Sequence, residues 1–176
     1  GTVALVNLSR NKDATLLAYT RSASGSDWQT IHVHDVEAGH DLPDLIQWCK
    51  FTNIAWLPDS SGFFYTRLPE PGTVPEEDAV NFSRVYFHRL GTVQSEDKLI
   101  YERPDFKELG FHVNITEDDV YLCLHVSLGT NPENRFYFRE LTSDGPFVRL
   151  LDKHDAMYRL VGNDGPIFYF HTNLNA

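Results

Sequence analysis

The stretch Asn81–Asp105, NFSRVYFHRLGTVQSEDKLIYERPD, decides how the chain is read. It holds two short strand patterns, Val85–Arg89 and Lys98–Tyr101, joined by a polar turn that begins at Gly91-Thr92. In the first, Val85, Phe87 and Arg89 fall on one face and Tyr86 and His88 on the other, as a side-chain period of two requires. The phrase occurs twice more. Trp28–Val36 reads WQTIHVHDV and runs on to Gly39; Arg135–Leu141 reads RFYFREL and runs on to a turn at Ser143-Asp144-Gly145. A strand phrase that returns about every 50 residues marks a repeat array.

Outward from that stretch, the strands fall into a four-beat pattern. The first copy has Val3–Leu8, Thr15–Thr20, Gln29–Asp35 and a short segment near His40–Leu42. The second has Thr52–Trp56, Phe63–Arg67, Val85–Arg89 and Lys98–Tyr101; the third has Phe111–Ile115, Val120–Val126, Arg135–Glu140 and Phe147–Leu151. Tyr158–Val161 and Ile167–His171 begin a fourth. Each copy carries an Asp-, Asn- or Ser-rich turn between its first two beats: Arg10–Asp13, Pro58–Gly62, Thr116–Asp119 and Asn163–Gly165. These are tight-hairpin residues. Helical periodicity is nearly absent, and Asp44–Cys49 predicts no more than one turn of helix before Lys50.

Four-stranded antiparallel sheets in series are propeller blades. The expected fold is all-β, a partial β-propeller of about three four-stranded blades plus the start of another. A plain β-sandwich of about a dozen strands is the competing architecture, and the same turn chemistry at the same beat favours the propeller. The expected boundaries are 1–50, 51–105, 106–155 and 156–176. Since a propeller closes with roughly four to eight blades, the chain is expected to be a fragment of a longer polypeptide. Its two uncovered blade faces would then be prone to self-association.

At 176 residues the chain is long enough for one ordinary domain. A formal charge of −10, with 15 basic residues scattered among 25 acidic ones, counts against a nucleic-acid partner. No apolar run approaches the ~20 residues of a membrane span, so no membrane partner is expected. Cys49 follows Trp48, and Cys123 lies inside the apolar run Val120–Val126. Both read as packed, reduced thiols, which points to a reducing, cytoplasmic compartment. The sequons at Asn7, Asn81 and Asn114 read as chance. His32 and His34 share a strand face, but alternation on an exposed blade explains them without a metal. Glu117-Asp118-Asp119 is hairpin chemistry and lacks the ligand spacing of a calcium loop. Neither a metal nor a cofactor is expected.

Two phrases go beyond propeller grammar: Ser22–Trp28, SASGSDW, and His88–Asp97, HRLGTVQSED, which runs on to Tyr101–Asp105, YERPD. Over most of its length the chain resembles the N-terminal propeller of the prolyl oligopeptidase (prolyl endopeptidase) family of serine peptidases. Oligopeptidase B and acyl-peptide enzymes share the architecture, but the SGSDW wording fits the prolyl branch better. The resemblance implies a parent enzyme in which a seven-bladed propeller caps an α/β-hydrolase domain of the same chain. That domain carries the Ser, Asp and His triad, and the propeller admits short proline-containing peptides for cleavage after proline. The sequence has no G-x-S-x-G nucleophile elbow, so the chain alone is expected to be catalytically inert, with no catalytic residue of its own. The alternative reading is a propeller used as a protein-interaction scaffold without catalysis.

The resemblance also implies site residues. Phe51 matches a family position where a propeller phenylalanine reaches the substrate pocket, against the plainer reading of a core aromatic opening an inner strand. Ser127 stands where the family uses an arginine to hold a substrate carbonyl; a hydroxyl is an uncharged, weaker donor than a guanidinium. Thr130 stands where many relatives carry a cysteine. Leu68–Val80, LPEPGTVPEEDAV, is the one long irregular loop. In the family the corresponding loop lies at the propeller–hydrolase boundary, so Pro69, Glu70, Pro71, Glu76 and Glu77 are expected to gate entry, or else to form a solvated acidic surface.

Overall fold

A computed structural model of the chain describes residues 3–23 and 25–175; Ser24 of the SASGSDW phrase and residues 1, 2 and 176 lie outside them. The first sheet comprises β1 (Val3–Arg10), β2 (Leu16–Ala23), β3 (Gln29–Asp35) and β4 (His40–Cys49). The second comprises β5 (Ile54–Trp56), β6 (Gly62–Arg67), β7 (Arg84–Arg89) and β8 (Lys98–Glu102). The third comprises β9 (Leu109–Ile115), β10 (Tyr121–Leu128), β11 (Asn134–Glu140) and β12 (Val148–Leu151), and β13 (Tyr158–Asp164) pairs with β14 (Ile167–Thr172). Neighbours in sequence are neighbours in each sheet, and every pairing is antiparallel. This is the all-β, partial β-propeller architecture read from the repeats.

One expectation is corrected. Asp44–Cys49 is not a turn of helix but the second half of β4, which extends well past the predicted His40–Leu42 segment. Its inward positions are Asp44 and Ile46, with Leu45 and Gln47 outward. A charge facing in and a leucine facing out obscured the strand's period of two.

The middle sheet is covered on both faces. Along β6, Phe63 and Tyr65 enter a cluster with Ile31, Val33 and Ile46 of the first sheet, while Phe64 enters one with Phe111, Val113, Leu122 and Leu124 of the third. That is why GFFYTR reads as a continuous apolar run rather than an alternation. The third sheet repeats the scheme, with Tyr121, Cys123 and Phe136 packed against Phe168 and Phe170 of β14. The outer faces of the series are uncovered, at Val3, Leu5 and Leu8 of β1 and at Ile167 and Tyr169 of β14. Both cysteines are free and buried; burial pushes the Cys123 thiol up to about 12 and the Cys49 thiol higher still.

Side-chain amides join one sheet to the next where strand ladders cannot. Asn53 pairs with both backbone groups of Val113, accepting from its N–H at 2.9 Å. Asn134 does the same to Tyr158, at 3.0 and 2.7 Å. Gln94 does it to Gln47 on the edge of β4, at 2.9 and 3.1 Å. The acidic and amide hairpins add further links: Asn11 to Ser60, Asn163 to Asp118, and an ion pair of Lys12 with Asp119.

The HRLGTVQSED phrase supplies a further, buried joint. The ring of His88 is fully buried, with Nδ1 2.7 Å from Asp97 and Nε2 2.9 Å from Asp44 of β4. Burial pulls the imidazole's pKa down, but hydrogen bonds and charge from Asp97 and Asp44 carry it above its ordinary value. Each ring nitrogen thus faces a carboxylate. Tyr65 donates its hydroxyl to Asp97 at 2.6 Å, and the Gly91 N–H donates to Asp44 at 2.7 Å. Gly62 opposes this region because a Cβ there would lie 2.2 Å from the His88 carbonyl oxygen. Among the described residues no helix is long and apolar enough to cross a membrane.

Candidate functional site

The interblade connections and one set of hairpins gather at one rim, where they enclose a cleft of about 840 Å³. Lys50 and Phe51 come from the β4–β5 connection; Leu68, Val80, Asn81 and Ser83 come from the two ends of the long loop. Leu109–Phe111 of β9 and Ser127–Asn131 at the end of β10 close it. The cleft thus brings together Phe51, Ser127 and Thr130, the three positions that the family resemblance singled out in the sequence.

Phe51 is not a core aromatic. The residue is 75% exposed, and its backbone sits in the left-handed region with φ of 56°. Trp48, three residues earlier, is also left-handed, with φ of 61°. Non-glycine residues avoid this region, and a pair of them marks a backbone held by its surroundings. The holding contacts are present: the Leu68 N–H donates to the Trp48 carbonyl at 3.1 Å, and the Arg67 guanidinium lies over the rings of Trp48 and Tyr86. Beside Phe51, the Lys50 ammonium lies 3.2 Å from Asp27, 5.3 Å from the Phe51 ring centroid and 6.0 Å from that of Trp28.

Ser127 stands opposite Gly110 in the β9–β10 ladder. A Cβ at Gly110 would lie 2.9 Å from the Ser127 hydroxyl, so the glycine leaves room for it. His125, one step back on the same strand face, is pushed down to about 4 by burial and by the neighbouring charge of His112, and is neutral at physiological pH.

The long loop is divided. Its ends line the cleft, whereas Pro69, Glu70, Pro71, Glu76 and Glu77 lie outside the lining, with the four other than Pro69 exposed. Glu76–Asp78 forms a single 3₁₀ turn. The loop closes on Asp78, which accepts from Asn81 at 2.8 Å and pairs with Lys107 at 2.7 Å. The Phe82 N–H donates to the Lys107 carbonyl at 2.7 Å, and the Lys107 ammonium lies 6.0 Å from the Phe82 ring. Hydrogen bonds from Lys107 and then Asn81 hold the Asp78 carboxyl below its ordinary value. Phe82, like Phe51, is left-handed, with φ of 58°.

A second, more open cleft of about 650 Å³ lies at the opposite rim, between the inner strands and the acidic hairpins. Of its charged groups, Lys12 and Asp119 are paired with each other, and Arg10 and Glu117 also line it. His34 bonds to Asp41 at 2.8 Å, while His32 contacts Thr30 and stacks on Tyr19, so the two histidines face separate partners.

Sequence reasoning missed Asp27, Lys50, Asp78 and Lys107. Their pairings join residues 23 and 29 positions apart; Asp27 lay inside the SASGSDW phrase and Asp78 inside the Leu68–Val80 loop, but neither pointed to its distant lysine.

Comparison with known proteins agrees with the propeller fold. The family profile described as the prolyl oligopeptidase N-terminal beta-propeller domain matches residues 1–176. Prolyl oligopeptidase A of Galerina marginata is 35% identical over 100% of this chain and 27% of its own length. A prolyl endopeptidase of Elizabethkingia miricola is 36% identical over 100% of this chain and 25% of its own. Among solved structures, prolyl oligopeptidase B of Galerina marginata, bound to a 35mer hydrolysis and macrocyclization substrate, superimposes with a TM-score of 0.90 at 28% identity. The match covers 99% of this chain and 26% of that one. The chain thus spans about a quarter of the length of the relatives it matches. It belongs to the prolyl oligopeptidase N-terminal β-propeller domain family.

Proposed function

We propose that this chain is the access-controlling and pocket-lining part of a serine endopeptidase that cleaves short peptides after proline. The catalytic α/β-hydrolase domain is then carried by the same parent polypeptide, and the chain by itself is inactive. The observation that carries the reading is the cleft, in which an exposed, strained Phe51 faces Ser127 and Thr130 at the rim where the interblade connections gather. In this reading the rim faces the hydrolase domain, and Phe51 contacts a substrate side chain. The Ser127 hydroxyl takes over the carbonyl contact that an arginine makes in the family, and the loop tip Pro69–Glu77 filters peptides by length. In support of the chain's inactivity on its own, among the described residues no serine hydroxyl hydrogen-bonds to a histidine ring. Self-association through the uncovered faces of β1 and β14 is the expected behaviour of the chain in isolation.

The test is hydrolysis by the full-length protein of two proline-containing peptides, one of a few residues and one several times longer. Labelling by a serine-reactive probe, cleavage after proline, and a loop deletion (69–77) that alters the long peptide more than the short one are expected. Equal effects on both peptides would remove the gating role. Absence of cleavage and of probe labelling would leave the propeller as an interaction scaffold.

A further inference from the structure

Phe51 presents a problem that its assignment to a pocket does not solve. An exposed ring has no apolar packing to fix its position, yet a binding surface needs one that is fixed. The residues beneath it supply the constraint. The Lys50 side chain is only 15% exposed because its ammonium is enclosed by the Trp28 and Phe51 rings and the Asp27 carboxylate. The carboxylate itself is 73% exposed. A cation against an aromatic face is an attractive, oriented contact, and here one ammonium meets two rings at once. The left-handed backbone at Phe51 turns the ring back onto its own neighbour's ammonium while leaving its outer face open to the cleft.

A second consequence concerns charge. Lys50 is the cleft's cation nearest the Phe51 ring, and its charge is answered by Asp27. Beside the exposed Glu108 carboxylate, the mouth therefore presents a ring face and a neutralised pair to an incoming peptide, not a free positive charge.

We propose that Asp27, Trp28 and Lys50 are positioning residues that fix the Phe51 ring at the cleft mouth and mask the lysine charge. The mouth thereby selects peptides with an uncharged, apolar residue at the position that meets Phe51. This deepens the peptidase reading and rests on it.

The experiment uses the full-length protein and a peptide series that differs only at the residue meeting Phe51, either apolar or glutamate. Lys50→Met keeps the stem and removes the charge. It raises KM for the apolar peptide about two- to fivefold, the range a partly exposed cation–π contact supports, and the loss falls on KM rather than kcat. Lys50→Arg, which keeps both the ion pair and the stacking, restores it. In a Phe51→Ala background Lys50→Met adds nothing, because the ring it positions is gone. Asp27→Asn unmasks the lysine and shifts preference toward the glutamate peptide, an outcome that a purely structural ion pair would not produce. The proposal is overturned if Lys50→Met costs the same with and without Phe51, or if Asp27→Asn leaves the preference unchanged. If Phe51→Ala itself leaves KM unchanged, or the protein cleaves neither peptide, the peptidase reading fails and this inference with it. Failure confined to the Lys50 and Asp27 variants overturns the inference alone.

Discussion

The rim carries the same small device twice, and the two copies are used differently. In each, an aspartate pairs with a lysine whose ammonium lies against a left-handed phenylalanine: Asp27, Lys50 and Phe51 in one, Asp78, Lys107 and Phe82 in the other. In the second the aspartate side chain is only 13% exposed and also accepts from Asn81, and the half-buried phenylalanine is tied by its own N–H to the Lys107 carbonyl. That copy is closed and staples the base of the long loop to the start of the third sheet. Among the described residues the first has no such amide donor, and it leaves both aspartate and phenylalanine in the open. The same three residue types give a joint when the partners are satisfied from the chain, and a surface when they are not. In the proposed reading exposure, more than residue identity, separates architecture from recognition.

The largest way to erase the difference is to remove the support common to both. Asp44 lies on the strand that leads into the open clamp, and His88 on the strand that follows the closed one. His88→Ala leaves two buried carboxylates facing each other without their cation, and should cost about 3–5 kcal/mol in urea unfolding. The pH dependence follows from the raised pKa. The imidazolium's contribution is fully present below the ordinary value of 6.5 and is lost as pH rises through the raised folded value. Stability that fell instead on the acid side of that window would mean that His88 is neutral in the hub.

Next in size is the closed clamp. Asp78→Ala should free the loop and speed proteolytic nicking within Pro69–Val80 several-fold, whereas Asp27→Ala should leave nicking unchanged. In the unaltered protein the Asp78 contribution is present above its ordinary value of 3.8 and fades as pH falls through the lowered folded value, so nicking should accelerate only in strong acid. Equal nicking in both variants would mean that the clamps do not differ.

A smaller effect sharpens the open side. Ser127→Arg places a charged donor opposite Gly110 and should lower KM for a proline-containing peptide by about fivefold, the margin between a neutral and a charge-assisted hydrogen bond. An unchanged KM would show that no carbonyl is held there. The smallest effect concerns stability: Phe51→Ala should fall within about 0.5 kcal/mol of the unaltered protein, and Phe82→Ala should exceed it. Equal costs at 51 and 82 would contradict the division into joint and surface.

These features were unequally legible in the sequence. The sheets were readable because hairpin chemistry recurs at the same beat, as at Pro58–Gly62 and Thr116–Asp119, and local turns need no distant partner. The second half of β4 was not, because Asp44 faces inward on account of His88 and the Gly91 N–H, 44 and 47 residues later. The LGTVQSED phrase marked the family but gave no hint that Gln94 reproduces a strand edge against Gln47, or that Asp97 holds a buried histidine. Phe51 and Ser127 were found by resemblance, whereas the ion pairs beneath and beside them exist only after the blades close. Pairings that depend on closure leave no local pattern to read.

The central claim, that this rim meets the substrate, is tested most directly by photo-crosslinking in the full-length protein. The probe is a proline-containing peptide in which the bond after proline is reduced and so cannot be cleaved. A photoreactive group sits on the residue expected to meet Phe51, and the attachment site is mapped by mass spectrometry. The account predicts attachment within Lys50–Phe51 and Ser127–Asn131, and loss of attachment in Phe51→Ala. Attachment instead at the opposite rim, around Ser9–Lys12 and Asn114–Asp119, would contradict it.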